Sequence, residues 1–320
     1  MPITGPSSYV PVTEEFEQHW LTADTTLGAG NEIVFPDGIN QAALTAKKDE
    51  LVAKRADVEG RLNNKEVARG DLDLKKAALL QRLVQFNDKV RAFYPNSKWL
   101  PALPKTPGPA EAQGKITTPL DDCNNLWQQI NADPGTAAPL TLLGGYGQAT
   151  LDTDLAALKT AYTALNSSET TLKVTRQERN QLQDAIYAIL KSYRQVLPTF
   201  FPKDSALVAS LPRLSPIPGS TPDAVTASGT WDAATQQARI SWTASTESNL
   251  ADYQVRFSSG PVYSTEDESV VATVPGGGSL ETLTNAGLAS AGTTASFRVY
   301  VRLTTGNEKG SNTVVVTNPN

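Results

Sequence analysis

The sequence has 320 residues, 39% of them hydrophobic and 19% charged, which excludes a collagen-like, wholly disordered or membrane-spanning chain. Its 28 basic and 33 acidic side chains give a net charge of −5, and no basic stretch suits a phosphate backbone, so nucleic acid is not an expected partner. One Cys, one Met and one His exclude disulfide frameworks, multi-ligand Cys/His metal sites and most Cys/His or Ser/His catalytic arrangements. We therefore expect a protein that is not an enzyme and holds no cofactor or metal.

The start of the chain carries no recognisable targeting segment. Residues 1–12 contain neither a basic region nor an apolar run of the length found in signal peptides. No window reaches the roughly 18 apolar residues that cross a bilayer, so membrane insertion is not expected.

An internal duplication organises the helical part. An offset of 107 residues aligns Trp20 with Trp127, Gly28 with Gly135 and many of the residues between and beyond them, without a gap. This predicts a first helical repeat in 1–110 and a second, with a proline-rich linker, in 111–220.

Each repeat is predicted to contain a short helix followed by a long one. The short helices are expected at 13–22 and 120–131, and the long helices at 39–94 and 150–197. The acidic pairs Glu14-Glu15 and Asp121-Asp122 are expected in the first turns of the short helices, and the apolar segments 33–35 and 140–143 as short strands or loops.

A seven-residue hydrophobic period runs through both long helices. It indicates a coiled coil or helical bundle, and prolines 95 and 198 are expected to end the two runs. The period is interrupted only at Lys65 in the first copy and Arg179 in the second. Two arrangements remain open: continuous helices that form a rod, or hairpins that fold back near residues 60–64 and 166–171 into a four-helix bundle. The candidate structural or interface side chains of this part are Trp20, Trp127, Leu44, Leu51, Leu79, Phe86, Leu151, Leu158, Ile186 and Tyr193.

From residue 224 onward the hydrophobic period changes to two, and threonine, valine, serine and glycine become frequent. Seven short strands are predicted, at 224–229, 237–243, 252–258, 270–274, 279–284, 295–304 and 312–317. This pattern is typical of an Ig-like β-sandwich. The fold class is therefore multidomain, with a duplicated long-helix domain followed by an all-β domain in 221–320.

Several motifs in 221–320 resemble the fibronectin type III family. They are Ile240-Ser241-Trp242, the segment Leu250–Arg256 with Tyr253, and Phe297–Val301. The resemblance implies a sandwich core that contains Trp242, Tyr253, Val255, Phe297 and Val299, and a role in protein or carbohydrate contact. The position of the family's corner tyrosine falls on Ala295, which departs from the pattern.

Three further groups of residues contain side chains or spacings that occur in functional sites. A Cys/His dyad formed by His19 and Cys123 is less favoured than a buried thiol. The Gly144–Gly147 segment lacks the Lys-Ser/Thr of a phosphate loop and is interpreted as a connector. The acidic run Glu266–Glu268 lacks the spaced ligands of a calcium loop and is interpreted as a solvated loop.

Function is predicted from this architecture. The first hypothesis is a structural subunit that self-assembles through its long helices into a filament, sheath or lattice, and so forms a homo-oligomer or polymer. The alternatives are an adaptor or component of a phage-like injection apparatus, and a carbohydrate-binding or enzyme accessory protein. The location is open; the resemblance suggests a bacterial surface or extracellular assembly, and a cytoplasmic location is the alternative.

Overall fold

A computed structural model describes residues 2–136, 138–219 and 221–319. The helices are α1 (Tyr9–Leu27), α2 (Gln41–Phe93), α3 (Gln113–Ala132), α4 (Gln148–Phe200) and α5 (Ala206–Ala209). The strands are β1 (Ala227–Asp232), β2 (Gln237–Trp242), β3 (Leu250–Ser259), β4 (Ser269–Pro275), β5 (Glu281–Thr284), β6 (Thr294–Leu303), β7 (Glu308–Gly310) and β8 (Val314–Thr317). The predicted fold class, long helices followed by an antiparallel β domain, is confirmed.

Each long helix is one element of 53 residues, so the continuous arrangement is the one found. The polar stretch 166–171 is helical, and its hydroxyls bond within the helix; Thr170 and Thr171, for example, donate to the carbonyls of Asn166 and Ser167. The expectation that Pro198 ends the second run is wrong, since α4 continues to Phe200. A proline in the last turn removes only one backbone hydrogen bond, which the helix tolerates.

The short helices are longer than predicted, and this changes the role of their acidic pairs. Because α1 begins at Tyr9 and α3 at Gln113, Glu14-Glu15 and Asp121-Asp122 lie beyond the first turns. The dipole interpretation of these pairs is therefore wrong. The apolar segments at 33–35 and 140–143 are not strands, and they contribute side chains such as Ile33 and Leu142 to the cores.

The chain divides into two compact units, Met1–Gly60 with Val174–Asn320 (unit 1) and Arg61–Lys173 (unit 2). Each unit contains a short helix, the beginning of its own long helix and the end of the long helix from the other repeat. In unit 1 the Trp20 ring stacks on Tyr193 with centroids 4.6 Å apart. In unit 2 Trp127 lies 5.0 Å from Phe86. The 107-residue offset maps one contact onto the other, as expected of a duplicated structure.

The β domain belongs to unit 1 and consists of two antiparallel sheets around a shared core. One sheet has the order β1-β2-β5; the other has the order β4-β3-β6-β7, with β8 also paired to β6. The seven predicted strands correspond to β1–β6 and β8, and β7 is an additional short strand. At Ala295, where the resemblance places a corner tyrosine, the side chain is fully buried. A Cβ on the adjacent Gly287 would lie 3.2 Å from that of Ala295, so no space exists there for a tyrosine ring.

Candidate functional site: a charged joint between helices and β domain

The loop between β3 and β4 carries the acidic run Glu266–Glu268, and it is not a solvated loop. The side chains of Asp267 and Glu268 are only 2% and 3% exposed. A carboxylate removed from water needs a cation and hydrogen-bond donors nearby. Arginines from the helices and from the β domain supply both. We call this set of contacts within unit 1 the charged joint.

Asp267 connects the loop to α4. Its Oδ1 accepts hydrogen bonds from Arg179 Nη1 at 2.9 Å and from Arg176 Nε at 3.1 Å. Its Oδ2 accepts bonds from Arg176 Nη2 and, at 3.0 Å, from Ser264 Oγ. Arg179 also reaches the carbonyl of Glu266 at 2.9 Å. Both carboxylate oxygens are therefore saturated by donors fixed on the helix and in the loop.

Arg179 occupies a position of the hydrophobic period, where the sequence shows only an interruption. Its side chain is 2% exposed, whereas its counterpart in the first repeat is Leu72, which is 4% exposed and packs in the core of unit 2. The same position of the hydrophobic period is thus filled by an apolar core side chain in the first repeat and by an ion-paired arginine in the second. The period marks this position as buried, and a buried arginine needs a charged partner. The sequence therefore contained a signal for the joint, but the residue was interpreted only as an interruption.

Glu268 is the centre of the second half of the joint. Its Oε1 accepts bonds from Arg256 Nη1 at 2.8 Å and from Ser7 Oγ at 3.0 Å. Its Oε2 accepts bonds from the hydroxyls of Tyr263 at 2.7 Å and Tyr300 at 3.1 Å. Burial is the main reason why the pKa values of both tyrosines are raised, and the Glu268 charge adds to it. These hydroxyls therefore remain protonated donors.

Two arginines complete the joint on either side of Glu268. Arg256, 2% exposed, also binds Glu308 through Nη1 and Nη2 at 2.9 and 2.6 Å. Burial alone would lower the pKa of Arg256, but the hydrogen bond and charge of Glu308 outweigh it and the pKa is raised. Arg55 of α2 donates to the Glu268 carbonyl at 2.8 Å and to Ser269 Oγ at 3.3 Å. Helices α2 and α4 and the segment before α1 thus all hold the same loop.

Every oxygen of the two buried carboxylates in the joint accepts hydrogen bonds. Its carboxylates accept bonds from fully charged arginines, which do not exchange protons near neutral pH. Within the described ranges, no three His, Cys, Asp or Glu side chains form a group that could hold a metal ion. A buried ion network leaves few other arrangements in which all of its members are paired, and an unpaired member would be costly.

The candidate residues of the sequence analysis all lie in cores. The ten helical candidates belong to the apolar clusters of units 1 and 2, each at most 2% exposed: Trp20, Leu44, Leu51, Ile186 and Tyr193 in unit 1, and Leu79, Phe86, Trp127, Leu151 and Leu158 in unit 2. The five sandwich candidates lie in the core of the β domain: Trp242, Tyr253, Val255, Phe297 and Val299. Each of these candidate side chains is therefore buried within the unit that contains it.

His19 and Cys123 are engaged separately, in different units. The His19 Nδ1 lies 2.8 Å from the Tyr193 hydroxyl and its Nε2 lies 2.9 Å from the Leu207 carbonyl, which fits a neutral ring that accepts at Nδ1 and donates at Nε2. Cys123 is 1% exposed in the core of unit 2, and burial raises the pKa of its thiol to about 12. Neither residue has the environment of an activated nucleophile or base. The Gly144–Gly147 segment overlaps a short 3₁₀ turn, Leu143–Gly145, and leads into α4.

The neutral His19 predicts a dependence of stability on pH. Burial lowers the His19 pKa below 6.5, and the hydrogen bond to Leu207 opposes this only in part. The contribution of the neutral His19 ring to the free energy of unfolding is therefore complete above pH 6.5. It is lost as the pH falls through the lower folded-state pKa. We expect the urea midpoint of the native chain to approach that of His19→Gln between pH 7.5 and pH 5. A difference between the two proteins that stays constant over this range would contradict the assignment.

No helix in the described part of the chain has the length and apolarity needed to cross a bilayer.

No family model and no curated protein matches the chain. Among solved structures, the chain is similar to a Fn3-like protein from Clostridium thermocellum, with 22% identity and a TM-score of 0.24 over 32% of this chain and 97% of the other. It is also similar to a pectate lyase from Erwinia chrysanthemi, solved with tetragalacturonic acid, with 15% identity and a TM-score of 0.25. That match covers 29% of this chain and 28% of the lyase.

Proposed function

We propose that the chain is a non-enzymatic structural subunit whose helices form a scaffold and whose β domain is held against that scaffold in a fixed orientation. The observation that carries this proposal is the charged joint, in which Arg179 and Asp267 are both 2% exposed and fully paired. Such a network is expensive to build in a buried place, and it stabilises one orientation rather than a range. A rigid two-part subunit suits display or spacing within an assembly.

The β domain is proposed to be of the fibronectin type III kind. Trp242 ends the second strand and Tyr253 lies in the third, as the motifs of that family require, and their rings lie 5.6 Å apart in the shared core. The Tyr253 hydroxyl accepts a bond from the Ser245 backbone at 2.7 Å. In this proposal the domain supplies contacts to other proteins or to carbohydrate, at a bacterial surface or in an extracellular assembly.

Self-assembly is the first form of the proposal. Because the ten helical candidate side chains are buried within the units, the assembly would use the outer surfaces of the helices and the β domain. Size-exclusion chromatography with light scattering, together with negative-stain electron microscopy, tests this. We expect particles that grow with protein concentration. A strictly monomeric particle at high concentration would refute self-assembly.

An adaptor, for example in a phage-like injection apparatus, is the second candidate. The burial of the helical candidate side chains favours it, since a scaffold with those side chains buried has less exposed apolar surface for contact with its own copies. An adaptor predicts a monomer in isolation and a stoichiometric complex with foreign chains on recovery from the native source.

A further inference from the structure

The edge strands of the β domain are protected unequally. Strand β5 has only four residues, and its Glu281 is paired with Arg239 at 3.1 Å. Strand β7 has three residues, of which Glu308 and Lys309 are charged. At β1, the Asn312 side chain bonds the Ala227 amide and carbonyl, both at 2.9 Å. Short length, charges and covering side chains are the usual means of preventing further strand pairing.

Strand β4 has fewer protections: its pairing with β3 shifts register near Val271, but the strand is neither short nor charged. It is the outer strand of its sheet, it has seven residues, and its sequence Ser-Val-Val-Ala-Thr-Val-Pro contains no charge and one proline, at its end. Its outward-facing Val270 is 37% exposed. A long, uncharged edge rich in β-branched residues is a template for an added strand.

A groove of about 510 Å³ lies beside β4, between this strand and the helices of unit 1. Its apolar side chains are Val10, Pro11, Val52, Ala56 and Val270. The charged groups in its wall are Arg55 and Glu59. The Arg55 guanidinium already donates to the Glu268 backbone carbonyl and to Ser269 Oγ. Within the described residues, by contrast, no hydrogen bond or salt bridge is found for the Glu59 carboxylate, and burial raises its pKa despite the nearby Arg55 charge.

The net charge of the β domain indicates which kind of segment would occupy the groove beside β4. Residues 221–320 carry five basic and nine acidic side chains, a net charge of −4, of which the α4 arginines Arg176 and Arg179 offset two through Glu266 and Asp267. Two β domains paired edge to edge would bring like charges together, whereas a basic segment would be attracted to the domain and to the unpaired Glu59. We propose that β4 and this groove dock an extended, basic segment of a partner protein, which pairs with β4 as an additional strand and places a lysine or arginine against Glu59. This inference does not depend on self-assembly.

The test uses the full chain and a fluorescein-labelled seven-residue peptide of alternating valine and threonine with one central lysine. A peptide with glutamate in place of lysine is the matched control. We expect fluorescence anisotropy to show the lysine peptide binding about tenfold more tightly than the glutamate peptide. The variant Glu59→Gln should remove this preference, since it removes the carboxylate and keeps the shape of the side chain.

The strand-pairing part of the proposal is tested on the edge itself. Val270→Lys, which adds a charge to β4, should weaken binding of the lysine peptide at least about tenfold. Val315→Lys, at a 47% exposed valine on β8, should leave it unchanged. The proposal is overturned if the lysine peptide fails to bind at about 1 mM, or if Glu59→Gln and Val270→Lys bind it as well as the native chain does. It is equally overturned if the chain alone dimerises and Val270→Lys abolishes the dimer, because a second copy would then occupy the edge.

Discussion

Replacing Asp267 by asparagine is expected to destabilise the seating of the β domain on the helices by about 3–5 kcal/mol, the usual loss when one partner of a buried ion pair is removed. The variant keeps the size of the side chain but places an amide where two guanidinium groups now find a carboxylate. Arg179, which is 2% exposed, would retain only the half-exposed Glu266 as an anionic partner.

Hydrogen exchange and limited proteolysis of the full chain measure this effect. In Asp267→Asn we expect faster exchange in the loop 263–269 and in α4 near Arg179, and earlier cleavage in the proline-rich segment 212–219. The control is Asp232→Asn in the same domain, because Asp232 pairs with an arginine that is 41% exposed and should matter little. If both variants behave alike, the charged joint does not hold the domain.

Removal of either tryptophan is expected to destabilise one unit selectively. Trp127→Ala should destabilise unit 2 by about 3–5 kcal/mol, because it empties a fully buried site and leaves the Leu140 carbonyl without its donor. Trp20→Ala should have an effect of similar size in unit 1, where the ring contacts Tyr193 and Phe35. Each substitution is the matched control of the other.

Hydrogen exchange resolves the two outcomes by region. Amides of α3 should lose protection in Trp127→Ala and keep it in Trp20→Ala, and those of α1 should show the reverse. Equal loss of protection in both regions for each variant would mean that the two units unfold as one, which contradicts the division of the chain.

The elements that the sequence analysis predicted well are those with a long, regular hydrophobic period. The seven-residue period located both long helices to within about three residues, because burial of one face every two turns is sufficient to define an amphipathic helix. The strands of the β domain were recognised by their period of two for the same reason. The ends of elements were less accurate: α1 begins at Tyr9, four residues before the predicted Thr13, and its N-cap residue Ser8 makes no side-chain capping hydrogen bond.

The charged joint was not predicted, and the reason is physical. A run of three acids in a loop has the same composition whether it is solvated or buried, and only the tertiary partners decide. Those partners come from positions 55, 176, 179 and 256, which are distant in sequence and belong to three different elements. A local pattern carries no information on such a convergence. The buried Arg179 was visible only as a break in the period.

The equivalence of Leu72 and Arg179 makes the two repeats non-interchangeable. The two residues occupy the same place in the two repeats, but Leu72 packs in the apolar core of unit 2 whereas Arg179 bonds the acidic loop of the β domain. Only the second repeat therefore offers Asp267 a partner at this position, and the docking site of the β domain exists on one half of an otherwise matched pair.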